Sequence, residues 1–162
     1  MRKYLFALLL ASAAPSLRAQ SAAAGSLTVV KPDGSSLVMT EVMLSALPRE
    51  KFEASSHDKK SLFEGSDLRT VLTLAGVKET DGLRGQALAR IVTVVAADGY
   101  KVVLPLSDLD PSIGNLKVFL VNRMDGAQIP EEDGHWRLVI PTDVRPARWV
   151  KLIVRIEVSD PK

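Results

Sequence analysis

Two apolar runs, Ile91–Ala96 (IVTVVA) and Tyr100–Leu104 (YKVVL), flank Ala97-Asp98-Gly99. Asp-Gly between apolar runs is the strongest short-range signal for a hairpin, because both central residues of the favoured turn need positive φ. Neither run alternates apolar with polar, so both strands are expected to be covered on two faces. A chain built around such a hairpin is not a doubly wound parallel sheet, which needs a helical crossover between successive strands.

The remaining segments fit that frame. Ser26–Val30, Lys51–Ala54, Ser61–Phe63, Lys117–Val121, Trp136–Ile140 and Val150–Val158 read as strands, and Ser36–Met39 continues the sheet. Pro32-Asp33-Gly34 and Asp125-Gly126 read as turns. Thr40 caps a short helix through Ala46, which Pro48 stops. Leu68, Val71, Leu72 and Ala75 fall at i, i+3, i+4 and i+7, one buried face of a helix. Ser66 is its expected N-cap and Gly76 its left-handed terminator. Residues 83–88 and the stretch from Ser107 or Asp108 onward give two further short helical pieces. The fold class expected is α+β, with mixed, mostly antiparallel strands and a few short helices. With 46% hydrophobic residues, one packed domain over 26–159 is expected.

The N-terminus has a different character. Met1-Arg2-Lys3 is basic, Tyr4–Ala14 is apolar, and Leu17-Arg18-Ala19 offers a cleavage site. Residues 1–19 therefore read as a secretory signal, too short to span a bilayer, and residues 20–25 as a flexible lead-in. Export to the periplasm or outside the cell follows, with no membrane span after cleavage. The leader carries Arg2, Lys3 and Arg18 and no acid, so its removal leaves 18 basic against 19 acidic side chains. That balance gives no footprint for nucleic acid. The chain has no cysteine, hence no thiolate nucleophile, no thiolate metal ligand and no site for a lipid anchor.

No phosphate-binding glycine loop, GxSxG elbow or HExxH pair is present. Gly82 and Gly85 read as a turn, and Glu131-Glu132-Asp133 as a solvated one. Two places carry more interest. The tract Glu53–Lys60 (EASSHDKK) holds His57 between two strands, as a solvated turn residue or as the rim of a site. Arg145-Pro146-Ala147-Arg148-Trp149-Val150-Lys151 sets three cations at the entrance to the last strand, with Arg137 on a neighbouring one. They either converge on an anion, as arginine and lysine do on phosphate, or form a rim paired to the chain's own acids.

The order of segments carries a resemblance. LSALPREKFEASSHDKKSLFEGSDLRTVLTLAGV, then AADGYKVVLPLSDLD, then GHWRLVIPTDVRPARWVKLIVRIEV resembles the molybdopterin-binding domain of sulfite-oxidase-type oxidoreductases, most closely its short exported members. The resemblance implies a mixed α+β domain and a molybdopterin-type cofactor. In the larger relatives a cysteine thiolate from the loop after an early strand binds the metal. The matching positions here are Ser55, Ser56 and His57, and a serine hydroxyl is a hard, scarcely ionised substitute for a soft thiolate. Basic residues before the last strand hold the cofactor's phosphate in the family. Here the matching positions are Arg148 and Lys151, with Arg137 or Arg145 assisting and His57 and Ser56 at the cleft mouth. The expectation is a non-catalytic module for an anionic, pterin- or phosphate-type small molecule. The alternatives are an oxidoreductase that holds molybdenum through the cofactor's own sulfurs, and an interaction domain with no small ligand.

Overall fold

The computed structural model describes residues 25–78 and 80–161. The expected signal peptide, residues 1–19, and residues 20–24 of the lead-in lie outside the described residues. Among the described residues, ten strands and three short α-helices form the domain. In chain order they are β1 (Leu27–Val30), β2 (Ser36–Met39), α1 (Glu41–Ser45), β3 (Glu50–Ser56), β4 (Lys59–Asp67), α2 (Leu68–Leu74), β5 (Ile91–Ala96) and β6 (Lys101–Pro105). There follow α3 (Leu106–Leu109), β7 (Phe119–Met124), β8 (Ala127–Gln128), β9 (Arg137–Val139) and β10 (Ile153–Ser159). Single 3₁₀ turns occupy Gly85–Ala89, Glu131–Asp133 and Pro146–Arg148. Among the described residues, no helix is long and apolar enough to cross a membrane.

Two five-stranded sheets result. One has the order β2-β1-β10-β5-β6, and the other runs β3-β4-β7-β8 with β9 also paired to β7. β1 and β10 pair in parallel, and the remaining ladders are antiparallel. The α+β reading, with mostly antiparallel strands, is the fold observed. Val92, Val94, Leu104 and Ile156 from the first sheet join Leu120, Leu138 and α2's Leu68, Val71 and Leu72 in one buried cluster.

Local chemistry explains most element ends. The Thr40 hydroxyl accepts from the Met43 N–H and opens α1. Asp67, rather than Ser66, caps α2, its carboxylate accepting from the Arg69 N–H. Asp67 caps because it is the last residue of β4, directly before Leu68 opens the helix, while Ser66 lies one position back in the strand. Gly76, at φ +82°, ends α2 as expected. Gly65 sits where β4 crosses Leu120 so closely that a Cβ would lie 2.2 Å from that carbonyl oxygen.

One correction bears on everything below. The two short strands expected on either side of His57 are longer than read, and they run into each other. β3 and β4 pair from Glu50↔Gly65 to Ser56↔Lys59, so the tract between them shrinks to a two-residue turn, His57-Asp58. Both turn residues have positive φ, +50° and +63°. That is the twist a tight hairpin demands, and His and Asp tolerate it better than most side chains. The signal was hidden because the turn lacks glycine.

Asp110 organises the loop below α3. Its side chain is buried and accepts from the Leu83 N–H at 2.7 Å and from both the N–H and hydroxyl of Ser112 at 2.7 Å. The Leu83 N–H above all holds this carboxyl below its ordinary value, with Ser112 adding to the effect against the cost of burial. A carboxyl depressed in the folded state contributes stability that is complete above its unfolded value and vanishes as pH falls through the lower folded one. Urea midpoints measured from pH 5 down to pH 2 should therefore fall. Asp110→Asn should make that fall shallower, leaving the share that Glu64, lowered chiefly by Arg49, still contributes.

Candidate functional site

The His57-Asp58 turn ends the second sheet on one side of a cleft of about 390 Å³. Ser56, His57 and Lys59 come from that turn and its flanks, and Met124 from β7. The opposite wall is Arg137 on β9, Pro146 in the last 3₁₀ turn, and Trp149 and Lys151 on the approach to β10. These walls are far apart in sequence. The sheet joins them because β4 and β9 flank β7 on either side.

Arg137 is the anchor of the wall. It is only 8% exposed. Its guanidinium carbon lies 5.9 Å from the Phe63 ring centre and 5.5 Å from that of Trp149, within cation–π range. The two rings meet edge to face at 5.7 Å. Among the described residues its hydrogen bond goes from Nη1 to Asp133 Oδ2, at 3.1 Å, while Nε–H is buried with no partner. Burial lowers this arginine's pKa, with Asp133 opposing the shift.

Asp133 is the second finding here. It is 5% exposed, and its other oxygen lies 2.5 Å from Lys151 Nζ. The expectation of a solvated acidic turn holds for the exposed Glu131 and Glu132 and fails for Asp133. A 3₁₀ turn over Glu131–Asp133 rolls the third acid inward, and the Leu152 N–H bonds back to the Asp133 carbonyl at 2.8 Å. Sequence offered no sign of this, because its cationic partners lie 4 and 18 positions further along.

The segment bearing Lys151 is fixed on both sides. Leu138 N–H donates to Val150 O at 2.8 Å, and Trp149 Nε1 to Ile140 O at 3.1 Å. The Tyr100 hydroxyl donates to the Ala147 carbonyl at 2.6 Å, tying the β5–β6 hairpin to the 3₁₀ turn.

The expected site residues therefore divide. Arg137, Lys151, His57 and Ser56 share the cleft. Ser56 Oγ and His57 Nδ1 lie 3.1 Å apart at its mouth. Arg145 and Ser55 line an adjoining hollow instead, where His57 recurs. Arg148 lines neither. Its guanidinium grips Asp143 through Nε at 3.1 Å and again through Nη2, and Asp143 raises its pKa in return. Lys59 was missed. It is exposed, has no ion pair among the described residues, and lines the same cleft as Lys151; Lys60 instead pairs with Glu53 at 2.8 Å. The side chains of the cleft thus hold three cations against one carboxylate, which two of them share.

A domain of one mixed and one antiparallel sheet, with a cationic cleft between a hairpin turn and the approach to the last strand, defines a class. Residues 47–162 match the family model for the oxidoreductase molybdopterin binding domain, and the chain belongs to that family. No curated protein matches it. Among solved structures, the sulfane dehydrogenase SoxCD from Paracoccus pantotrophus is similar over 84% of this chain, with a TM-score of 0.66 and 19% identity. The chain spans 38% of that protein's length, and the likeness is one of fold.

The family's cofactor is an anion at one end and a metal dithiolene at the other. The anion end meets cations in this cleft: Arg137, Lys59 and Lys151 all line it, and guanidinium and ammonium groups are what a phosphate seeks. The metal end does not fit. The chain has no cysteine, and no group of three or more His, Asp or Glu gathers among the described residues as a metal site would require.

Asp133→Ala removes the counter-charge of a buried guanidinium. It should destabilise the domain by about 3 kcal/mol in urea unfolding at pH 7, the usual cost of orphaning one member of a buried pair. Lys151→Ala, which leaves Asp133 bonded to Arg137, should cost less than about 1 kcal/mol.

Proposed function

We propose that this chain is an exported, non-catalytic member of its family that binds a small anionic ligand, phosphate-bearing and of pterin type, in the cleft over Arg137. The observation that carries this reading is the buried, half-satisfied Arg137 guanidinium on the wall of a cavity that also gathers Lys59 and Lys151. The cavity is of small-molecule size.

Each residue has a separate task. Phe63, Trp149 and Asp133 hold the Arg137 guanidinium in place before any ligand arrives, so little is lost in ordering it. Lys151 and Lys59, both exposed and lining the cleft, supply further positive charge to the anion. His57 and Ser56 stand at the mouth and limit water access. A molybdopterin-type group would bring redox chemistry of its own when bound. In this chain the serines stand at the positions matching the family's thiolate, and their hydroxyls are poor donors to a soft metal. That supports a binding role over oxo transfer. Arg148, committed to Asp143, is assigned no part.

Inorganic phosphate near a hundred times its dissociation constant should raise the melting temperature by roughly 5–10 °C. Lys59→Ala with Lys151→Ala should abolish the shift, and Arg148→Ala should leave it intact. No shift in the unaltered protein would overturn the binding role. Molybdenum at one atom per chain in protein from its native host would overturn the non-catalytic one.

A further inference from the structure

The first sheet buries one face in the core through Val29, Ile156, Val94 and Val102, which lie side by side across β1, β10, β5 and β6. Successive side chains on a strand point to opposite faces, so the residues on either side of these four form the outer face. One row across it runs Thr28, Arg155, Val95, and the next runs Val30, Glu157, Thr93. Val38 and Val103 extend these rows onto the edge strands β2 and β6, where they are 54% and 53% exposed.

An antiparallel face left to solvent is ordinarily polar. Here the outward positions of β1 and β5 are uncharged and β-branched. The missing alternation in Ile91–Ala96 predicts cover on both faces, yet Ile91 and Thr93 are only half-buried. The charge in the middle of the sheet sits on its central strand. Arg155 and Glu157 flank Ile156 there, 3.7 Å apart and with side chains 45% and 37% exposed. One cation and one anion on either side of a fixed point make a self-complementary pattern. A two-fold axis crossing the strands at the level of Ile156 lays β10 antiparallel on its own copy. Each Arg155 then lies over the partner subunit's Glu157, Val95 lies over Thr93, and no two like charges meet. Five strands about 4.8 Å apart, each with some five residues of about 3.3 Å, give a face of roughly 400 Å² in plan. Stable interfaces take about 800 Å² of accessible surface from each partner, so a contact of this size is small and reversible.

We propose that the outer face of the first sheet is an interface between two copies of this chain, paired about a two-fold axis at Ile156 and held in register by reciprocal Arg155–Glu157 ion pairs. The cleft over Arg137 draws none of its lining residues from the strands of this sheet. Pairing therefore leaves the cleft as it is, and this proposal and the anion-binding reading can fail separately.

Sedimentation velocity of the purified protein tests it. The unaltered chain should pass from monomer to dimer between about 5 and about 500 µM, the range of a small interface. Arg155→Glu sets carboxylate over carboxylate twice and should weaken the dimer by about tenfold or more. Arg155→Glu combined with Glu157→Arg returns opposite charges to each other and should restore it. Both side chains are exposed, so circular dichroism should show the same fold in all three proteins. A dimer that survives Arg155→Glu unchanged, or one that the double exchange does not rescue, would overturn the proposal. So would a chain that stays monomeric at the highest concentration, which would leave the face to a different occupant.

Discussion

The buried carboxylate of Asp133 is the constraint on which the site depends. One oxygen holds Arg137 and the other holds Lys151. Without it, a guanidinium 8% exposed between two aromatic rings would stand uncompensated in a poorly solvating environment. With it, two cations from segments 14 residues apart are held on one wall. The carboxylate does not cancel the cleft's charge, because a single acid shared between two bases leaves one positive charge over, and Lys59, which also lines the cleft, adds another. Pre-organisation and residual charge therefore come from the same residue.

The β3–β4 turn contributes the opposite wall at a cost. Two consecutive non-glycine residues at positive φ each carry backbone strain that Asn-Gly would largely avoid. The geometry allows no loop longer than two residues, since Ser56 and Lys59 already pair. The turn sets His57 on both the cleft and the hollow and Asp58 on the hollow, side chains that glycine or asparagine would not supply.

Much of the fold was legible in residue pattern, for reasons that apply locally. Asp98-Gly99 announces the β5–β6 hairpin, Thr40 and Gly76 mark helix ends, and the Leu68–Ala75 spacing defines α2's buried face. The site was legible only in part. Its cationic members stand out by type, and Arg137, Lys151 and His57 do meet. What sequence could not show is which cations are already spoken for. Arg148 and Lys151 look alike on paper. One turns toward Asp143, five residues back and carried by the same loop, while the other lines the cleft because Asp133 is buried beneath it. Lys59 went unnoticed because the turn lacked glycine, so the residue flanking it was read as part of a loop. Asp133 is hidden in a run of acids whose burial depends on a 3₁₀ turn.

On the proposed reading, the two ends of the family's cofactor would rest on different elements of this domain. By resemblance, the thiolate position belongs to the tip of the β3–β4 hairpin, where Ser56 and Lys59 pair on either side of the turn. The cationic wall belongs to the segment from Asp133 to Lys151, knitted by an ion-pair triad, two aromatic rings and backbone bonds from Leu138 and Leu152. Replacing a sulfur by a hydroxyl at the tip of a hairpin removes a metal ligand without disturbing that wall. Replacing a cation in the wall would unsettle packing as well as binding, because Arg137 sits against Phe63 and Trp149 in the core. Positive charge in this cleft is thus bound up with the stability of the domain, whereas metal ligation is not, and a fold of this kind can keep the first after the second is gone.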